Sequence, residues 1–334
     1  MKESYLALYR KYRPETFSDV VGQEQAVNLL TSSIKQKKIS HAYLFCGSRG
    51  TGKTTVARIL ARDIGCNPED VIEIDAASNR GIDEIRALRD AVRTSPFSSA
   101  YKVYIVDEAH MLTKEAANAL LKTLEEPPSH VVFILATTDP DKLPQTIVSR
   151  CQKVVFNQPE LKVLSDRLIF VAEKEEKKLD VESSELIAKH GKGSYRDALG
   201  ILEQVIAISG KTIKHDDVVI TLGAPEKESL LVLLEAICTK NGKGILETIK
   251  NIEGKTSAIH TYDEFIELVR QGLLIRIGEV ESKDKELYRL AKEYPHTIGS
   301  KLVLELLSKR YLLEVSDTHG WTAFMAILMS LIED

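Results

Sequence analysis

Cysteine is scarce and scattered in this chain: Cys46, Cys66, Cys151 and Cys238 are the four among 334 residues, and no two form a C-x-x-C pair. That excludes a disulfide framework, supplies no zinc-binding spacing, and leads us to expect reduced thiols. Long apolar runs are missing as well, none approaching the ~20 residues of a membrane span. No apolar stretch and small-residue cleavage site follow Met1-Lys2-Glu3-Ser4-Tyr5, so a cytoplasmic location with no membrane partner is expected. Nor is there an excess of positive charge. With a formal net charge of −4, any contact with nucleic acid has to come from a local basic patch. There is no internal repeat, and no charged or Pro-rich tail follows Ile332.

What is present is enough length, with 43% apolar residues, for two or three domains with cores of their own. One stretch organises the rest. Gly47-Ser48-Arg49-Gly50-Thr51-Gly52-Lys53-Thr54 satisfies the phosphate-binding pattern G-x-x-x-x-G-K-[ST], between an apolar run (His41 to Cys46) and a helical pattern (Thr55 to Asp63). Strand, loop and helix are the context this motif requires. Its glycines let successive backbone N–H groups face phosphate oxygens at the positive end of a helix dipole. A nucleotide is therefore expected on Gly47, Gly50, Thr51, Gly52, Lys53, Thr54 and Thr55, with Lys53 at the β and γ phosphates and Thr54 on Mg²⁺.

A second apolar run, Lys102 to Val106, leads straight into Asp107 and Glu108. In company with the first motif, this pair reads as the other half of an ATPase site, Asp107 holding the metal and Glu108 polarising the attacking water. His110 has no second His or Cys at ligand spacing and reads as a structural or relaying residue. Runs at Val71 to Asp75, Val131 to Ala136 and Lys153 to Phe156 bring the strands to five, alternating with helices, which implies a parallel sheet covered on both faces. Thr138, just past the fourth strand, is either a contact to the γ-phosphate and its water or a cap of the turn that follows.

Beyond Gln158-Pro159 the pattern is helical: Leu161 to Leu179, Ser183 to His190, then a helix capped by Ser194. Arg196 falls in that helix's first turn, unfavourable for a cation unless an anion, either a phosphate or a nearby carboxylate, accompanies it. After Leu222-Gly223-Ala224-Pro225, roughly five amphipathic helices without clustered catalytic residues suggest an assembly module. The expected boundaries are an α/β P-loop domain over 1–157, a small helical domain over 158–222 and an all-α domain over 223–334.

Tyr12-Arg13-Pro14, Val20-Val21-Gly22-Gln23, the P-loop, Glu73 to Asn79, Val106-Asp107-Glu108, Asn118 to Pro128 and Ser149-Arg150-Cys151 stand in one order and spacing. In these the chain resembles the gamma/tau family of bacterial clamp-loader ATPases, within the AAA+ class. The resemblance spans effectively the whole chain and weakens after Leu222. It implies that the helical parts are a lid and a collar. It implies that Arg150 is a finger reaching a neighbouring subunit's site, that Thr138 and Arg196 are the two sensors, and that Arg13-Pro14 and Val20-Val21 flank the adenosine. It further implies ATP and Mg²⁺ as ligands, and as partners the other subunits of a pentameric ring or copies of this chain, a sliding clamp and primed-template DNA. Arg80, Arg86 and Lys122 become candidates for backbone contacts to that DNA.

Two features depart from the family. Cys66-Asn67-Pro68-Glu69 occupies the place of its four-cysteine zinc module, so no zinc is expected, and a form without the extension of the family's longer members is expected. The rival expectation is a nucleotide-binding scaffold of the same ring that does not hydrolyse ATP. A branch-migration AAA+ protein is a third, which leaves Ser149-Arg150-Cys151 and a helical collar without a reason.

Overall fold

A computed structural model describes residues 6–78, 91–223, 225–279, 284–315 and 319–333. Arg80 and Arg86 lie outside the described residues. The chain divides into two compact units, Met1–Lys214 and His215–Asp334.

The first unit opens with a short helix α1 (Leu8–Lys11) and an amphipathic α2 (Glu24–Lys35). Five strands follow, β1 (Ala42–Gly47), β2 (Val71–Asp75), β3 (Lys102–Asp107), β4 (Val131–Thr137) and β5 (Gln152–Phe156). Between them lie α3 (Lys53–Asp63), α4 (Lys114–Glu125) and α5 (Gln145–Val148) among the described residues. All pairings are parallel, in the order β2-β3-β4-β1-β5.

Strand alternation decides which side chains meet which helices. Tyr43 and Phe45 of β1 pack with Ala26 and Leu30 of α2 and Val56 and Leu60 of α3. Ala42, Leu44 and Cys46 point the other way, onto Ala116, Leu120 and Leu124 of α4 and Ile147 of α5. With both faces covered, the carboxyl edge of the sheet is where residues after β1, β3 and β4 converge.

Three helices complete this unit: α6 (Leu161–Lys174), α7 (Val181–His190) and α8 (Tyr195–Ile208). The apolar period suggested one helix from Leu161 to Leu179, but α6 stops at Lys174. Glu176 turns into the left-handed region (φ 57°), and the Lys177 amide reaches back to the Ala172 carbonyl at 2.9 Å. The Lys177 ammonium donates to the carbonyls of Ser209 and Gly210, and Lys178 bridges to Thr212. Leu179 is buried all the same, from a position outside any helix.

Among its described residues the second unit is built from helices: α9 (His215–Leu222), α10 (Lys227–Cys238), α11 (Gly242–Ile252), α12 (Ala258–Ile277), α13 (Lys285–Glu293), α14 (Ser300–Lys309), α15 (Tyr311–Val315) and α16 (Gly320–Glu333). Seven of these follow Glu226 where pattern reading suggested about five. Their core gathers Leu233, Ile249, Tyr262, Phe265 and Phe324. Tyr262 stands edge-on to Phe324 and satisfies its hydroxyl on the Leu306 carbonyl at 2.8 Å.

Candidate active site

The loop between β1 and α3 wraps its own lysine. Lys53 is buried, and its ammonium donates to the carbonyls of Gly47 (2.7 Å) and Ser48 (2.8 Å). Burial depresses its pKa, while Glu108 and Asp107 pull it upward. Thr54, one residue further along α3, donates its hydroxyl to Asp107 Oδ2 at 2.7 Å. A hydroxyl from the start of α3 and a carboxylate from the end of β3 thus stand side by side beside the lysine.

Gly50 shows why this loop needs glycine. Its φ is +73°, and a Cβ there would sit 1.9 Å from Ser194 Oγ at the start of α8. The start of α8 therefore packs against bare loop backbone, and the Tyr195 amide donates to the Gly50 carbonyl at 3.0 Å. Gln23 fastens the opposite side. Buried, it donates to the carbonyls of Thr51 (3.3 Å) and Asn157 (2.7 Å) and accepts from the Asn157 amide.

Past β3, Glu108 is held in the left-handed region (φ 48°), an unusual conformation for a residue with a side chain. Its Oε2 accepts from the Thr138 hydroxyl at 3.3 Å and lies 3.6 Å from His110 Nδ1. The same His110 nitrogen is 3.0 Å from Thr137 Oγ1, which also accepts from the Asp139 amide. Thr138 therefore touches the carboxylate of Glu108, while the turn after β4 is capped by its neighbour Thr137.

Arg13, Pro14, Val20, Val21, Gly50, Thr51, Gly52, Lys53, Thr54, Thr55, Asp107, Glu108 and Arg196 all line one cleft. Gly47 contributes through its carbonyl to Lys53. Arg196 is exposed, lies over the Tyr9 ring (5.8 Å) and makes no ion pair among the described residues. Of the two anions that its first-turn position left open, the carboxylate is thus not found among the described residues. Burial and the nearby guanidiniums of Arg58 and Arg196 lower the pKa of Arg13.

Two candidates stand elsewhere. Arg150, after α5, does not line the cleft of its own chain, and it donates to the Thr146 carbonyl and to Glu125 Oε1, both at 2.7 Å. Lys122 is exposed on α4. Pattern reading missed Arg167 and Tyr195, which also line the cleft. Arg167 resembles any basic residue on a helix's wet face, yet it is half-buried, donates to the Tyr12 carbonyl and has its pKa lowered by burial. Tyr195 followed a legible helix cap, but nothing in its neighbours marks what its ring reaches.

Residues 22–80 and 67–160 match the sequence family described as DNA polymerase III, delta subunit, and residues 163–211 match DNA polymerase III clamp loader subunit, ATPase lid domain. The DNA polymerase III subunit tau of Bacillus subtilis (strain 168) is 44% identical over 278 residues, covering 76% of this chain and 49% of that protein. The subunit tau of Escherichia coli (strain K12) is 38% identical over 299 residues, covering 83% and 46%. The DNA polymerase III subunit gamma of Buchnera aphidicola subsp. Acyrthosiphon pisum (strain APS) is 40% identical over 276 residues, covering 75% of each. The chain thus spans about half the length of the two tau relatives. Among solved structures, the RuvB Holliday junction branch migration motor of Thermotoga maritima superposes with a TM-score of 0.54 at 20% identity, covering 84% of this chain and 98% of that one. At such identity the likeness is one of fold.

Proposed function

The chain belongs to the gamma/tau family of DNA polymerase III clamp-loader subunits, with an AAA+ P-loop fold, and from that premise we propose that it is an ATP-hydrolysing motor of a clamp loader. The observation that carries the proposal is the junction of Thr54, Asp107 and Lys53 at one sheet edge, with Glu108 beside them in contact with Thr138.

The donors fit a magnesium nucleotide. A hydroxyl and a carboxylate 2.7 Å apart are the hard oxygen ligands Mg²⁺ takes, and open space beside Gly52 at the start of α3, where nothing lies within 4 Å of an added Cβ, leaves room for a phosphate. When bound, Mg²⁺ would neutralise charge on the β and γ oxygens. Lys53 would turn its ammonium from the loop carbonyls to those oxygens. Glu108 would orient the attacking water and take its proton on a carboxylate oxygen, with the Thr138 hydroxyl governing which way that carboxylate faces. Arg196, with no carboxylate partner among the described residues, is suited to a phosphate, and Arg13-Pro14 and Val20-Val21 to the adenosine.

Arg150 does not line its own cleft, which supports a role in the site of a neighbouring subunit and turnover that depends on a pentameric ring. In this reading the AAA+ domain is 1–157, the lid 158–222 and the collar 223–334. ATP binding opens a sliding clamp, and hydrolysis releases it on primed DNA, with Lys122 near the DNA backbone. Steady-state ATP hydrolysis by the chain with its ring partners, with and without clamp and primed-template DNA, tests this. Strong stimulation when all are present is expected. Turnover indifferent to clamp and DNA would refute the clamp-loading role, and binding without turnover would make the chain a scaffold.

A further inference from the structure

Tyr195 is the first residue of α8, and it touches both walls of the nucleotide cleft. Its backbone N–H donates to the Gly50 carbonyl of the P-loop at 3.0 Å. Its side chain reaches the other wall, where the hydroxyl donates to the Val21 carbonyl at 2.8 Å. Room for that hydroxyl is made by Gly22: φ there is +72°, and a Cβ would stand 2.8 Å from the Tyr195 oxygen and 3.2 Å from a methyl of Val163. Burial pushes the phenol up to about 12, so it keeps its proton and stays a donor across the workable pH range.

We propose that Tyr195 is a positioning residue, a latch that ties the lid helix to the P-loop through its amide and to the Val20-Val21 wall through its hydroxyl. The inference rests on the nucleotide reading of the cleft. Its reasoning is geometric. The next residue, Arg196, projects from the same helical turn, so the two bonds of Tyr195 set how far that guanidinium stands from Lys53. They also set how readily the lid moves off the bound nucleotide. The latch touches groups on the backbone of both walls and none that distinguishes a triphosphate from a diphosphate. Its loss therefore acts on escape of either nucleotide alike.

Tyr195→Phe removes the hydroxyl and keeps the ring. One neutral hydrogen bond of this kind corresponds to about three- to tenfold in an equilibrium or escape rate. Stopped-flow displacement of fluorescent ADP, and separately of a fluorescent non-hydrolysable ATP analogue, is to be measured on the full chain. Dissociation about three- to tenfold faster for both nucleotides, with unchanged association, is the expected result. Dissociation within twofold of the unaltered chain, accompanied only by a lower melting temperature, would mean the bond is merely structural and would overturn the latch. An unaltered chain that binds neither nucleotide would instead defeat the nucleotide reading, and this is seen before any variant is compared. Hydrogen exchange on the unaltered chain gives a measurement independent of variant folding. Protection of the Tyr195 amide and of the 21–23 segment should rise together on ADP saturation. A rise confined to 47–54 would overturn the latch.

Discussion

Replacing Gly50 with alanine separates two demands that the P-loop makes on one residue. The backbone at Gly50 has φ +73°, and the added methyl would stand 1.9 Å from Ser194 Oγ and 2.9 Å from its Cβ. The left-handed conformation costs an alanine roughly 1–2 kcal/mol. Reduced freedom of the unfolded chain returns about 0.4–1 kcal/mol. Overlap with Ser194 adds about 1–3 kcal/mol, because the serine that caps α8 has to move by an ångström or more. A loss of about 2–4 kcal/mol is therefore expected for Gly50→Ala. Gly65 provides the control, since its φ is +86° and nothing lies within 4 Å of its added Cβ. Gly65→Ala should cost only the conformational part, about 1 kcal/mol. Chemical denaturation of the two variants, followed by a signal from the first unit, measures the difference. Combining Gly50→Ala with Ser194→Gly should recover most of the overlap cost, because glycine replaces a serine cap for a few tenths of a kcal/mol. Equal losses in Gly50→Ala and Gly65→Ala, or no recovery in the double variant, would refute the claim that lid contact constrains this position.

Glu108→Gln should bind ATP and fail to turn it over, whereas Lys53→Ala should lose binding, as equilibrium titration and single-turnover hydrolysis would show. Arg150→Ala should leave the isolated chain's ATP affinity unchanged while the assembled ring loses on the order of a thousandfold in turnover; equal turnover in the ring would exclude a finger. The Asp70 carboxyl accepts from the Phe97 and Ser98 amides and is held down at about 2, chiefly by Ser98. Because this folded pKa lies below the ordinary value, the stabilisation is complete above about pH 5 and is lost as pH falls toward 2. The stability gap between the unaltered chain and Asp70→Asn should narrow across that window, and a gap constant with pH would count against it. The buried Tyr104 hydroxyl finds no hydrogen-bond partner among the described residues, so Tyr104→Phe should raise stability by about 1 kcal/mol in denaturant unfolding; a loss would reveal a hidden partner.

How much was legible in advance differs from residue to residue. The five strands, the loop from Gly47 to Thr54 and the pair Asp107-Glu108 were readable because each is a local pattern. An apolar run, a glycine spacing or a carboxylate at a strand's end does not depend on distant chain. A parallel sheet then carries the ends of β1, β3 and β4 to one edge, so the meeting of Thr54 with Asp107 followed almost from connectivity. The end of α6 was not legible, because Leu179 continues the apolar period while it is buried from outside the helix.

By itself, then, the sequence determined the phosphate-binding loop, the acids facing it, the buried faces of strands and helices, and the cap at Ser194. Only the tertiary structure decided that Tyr195 reaches Val21 across 174 positions of chain, that Gly50 lies under Ser194, that Arg167 supports the Tyr12 carbonyl, and that Arg150 lies outside its own cleft. The physical reason is the range of the information. Periodicity records which side of an element avoids water, and a motif records local backbone geometry. Neither records which distant residue a polar group will find, since that partner is set by how separately formed elements pack.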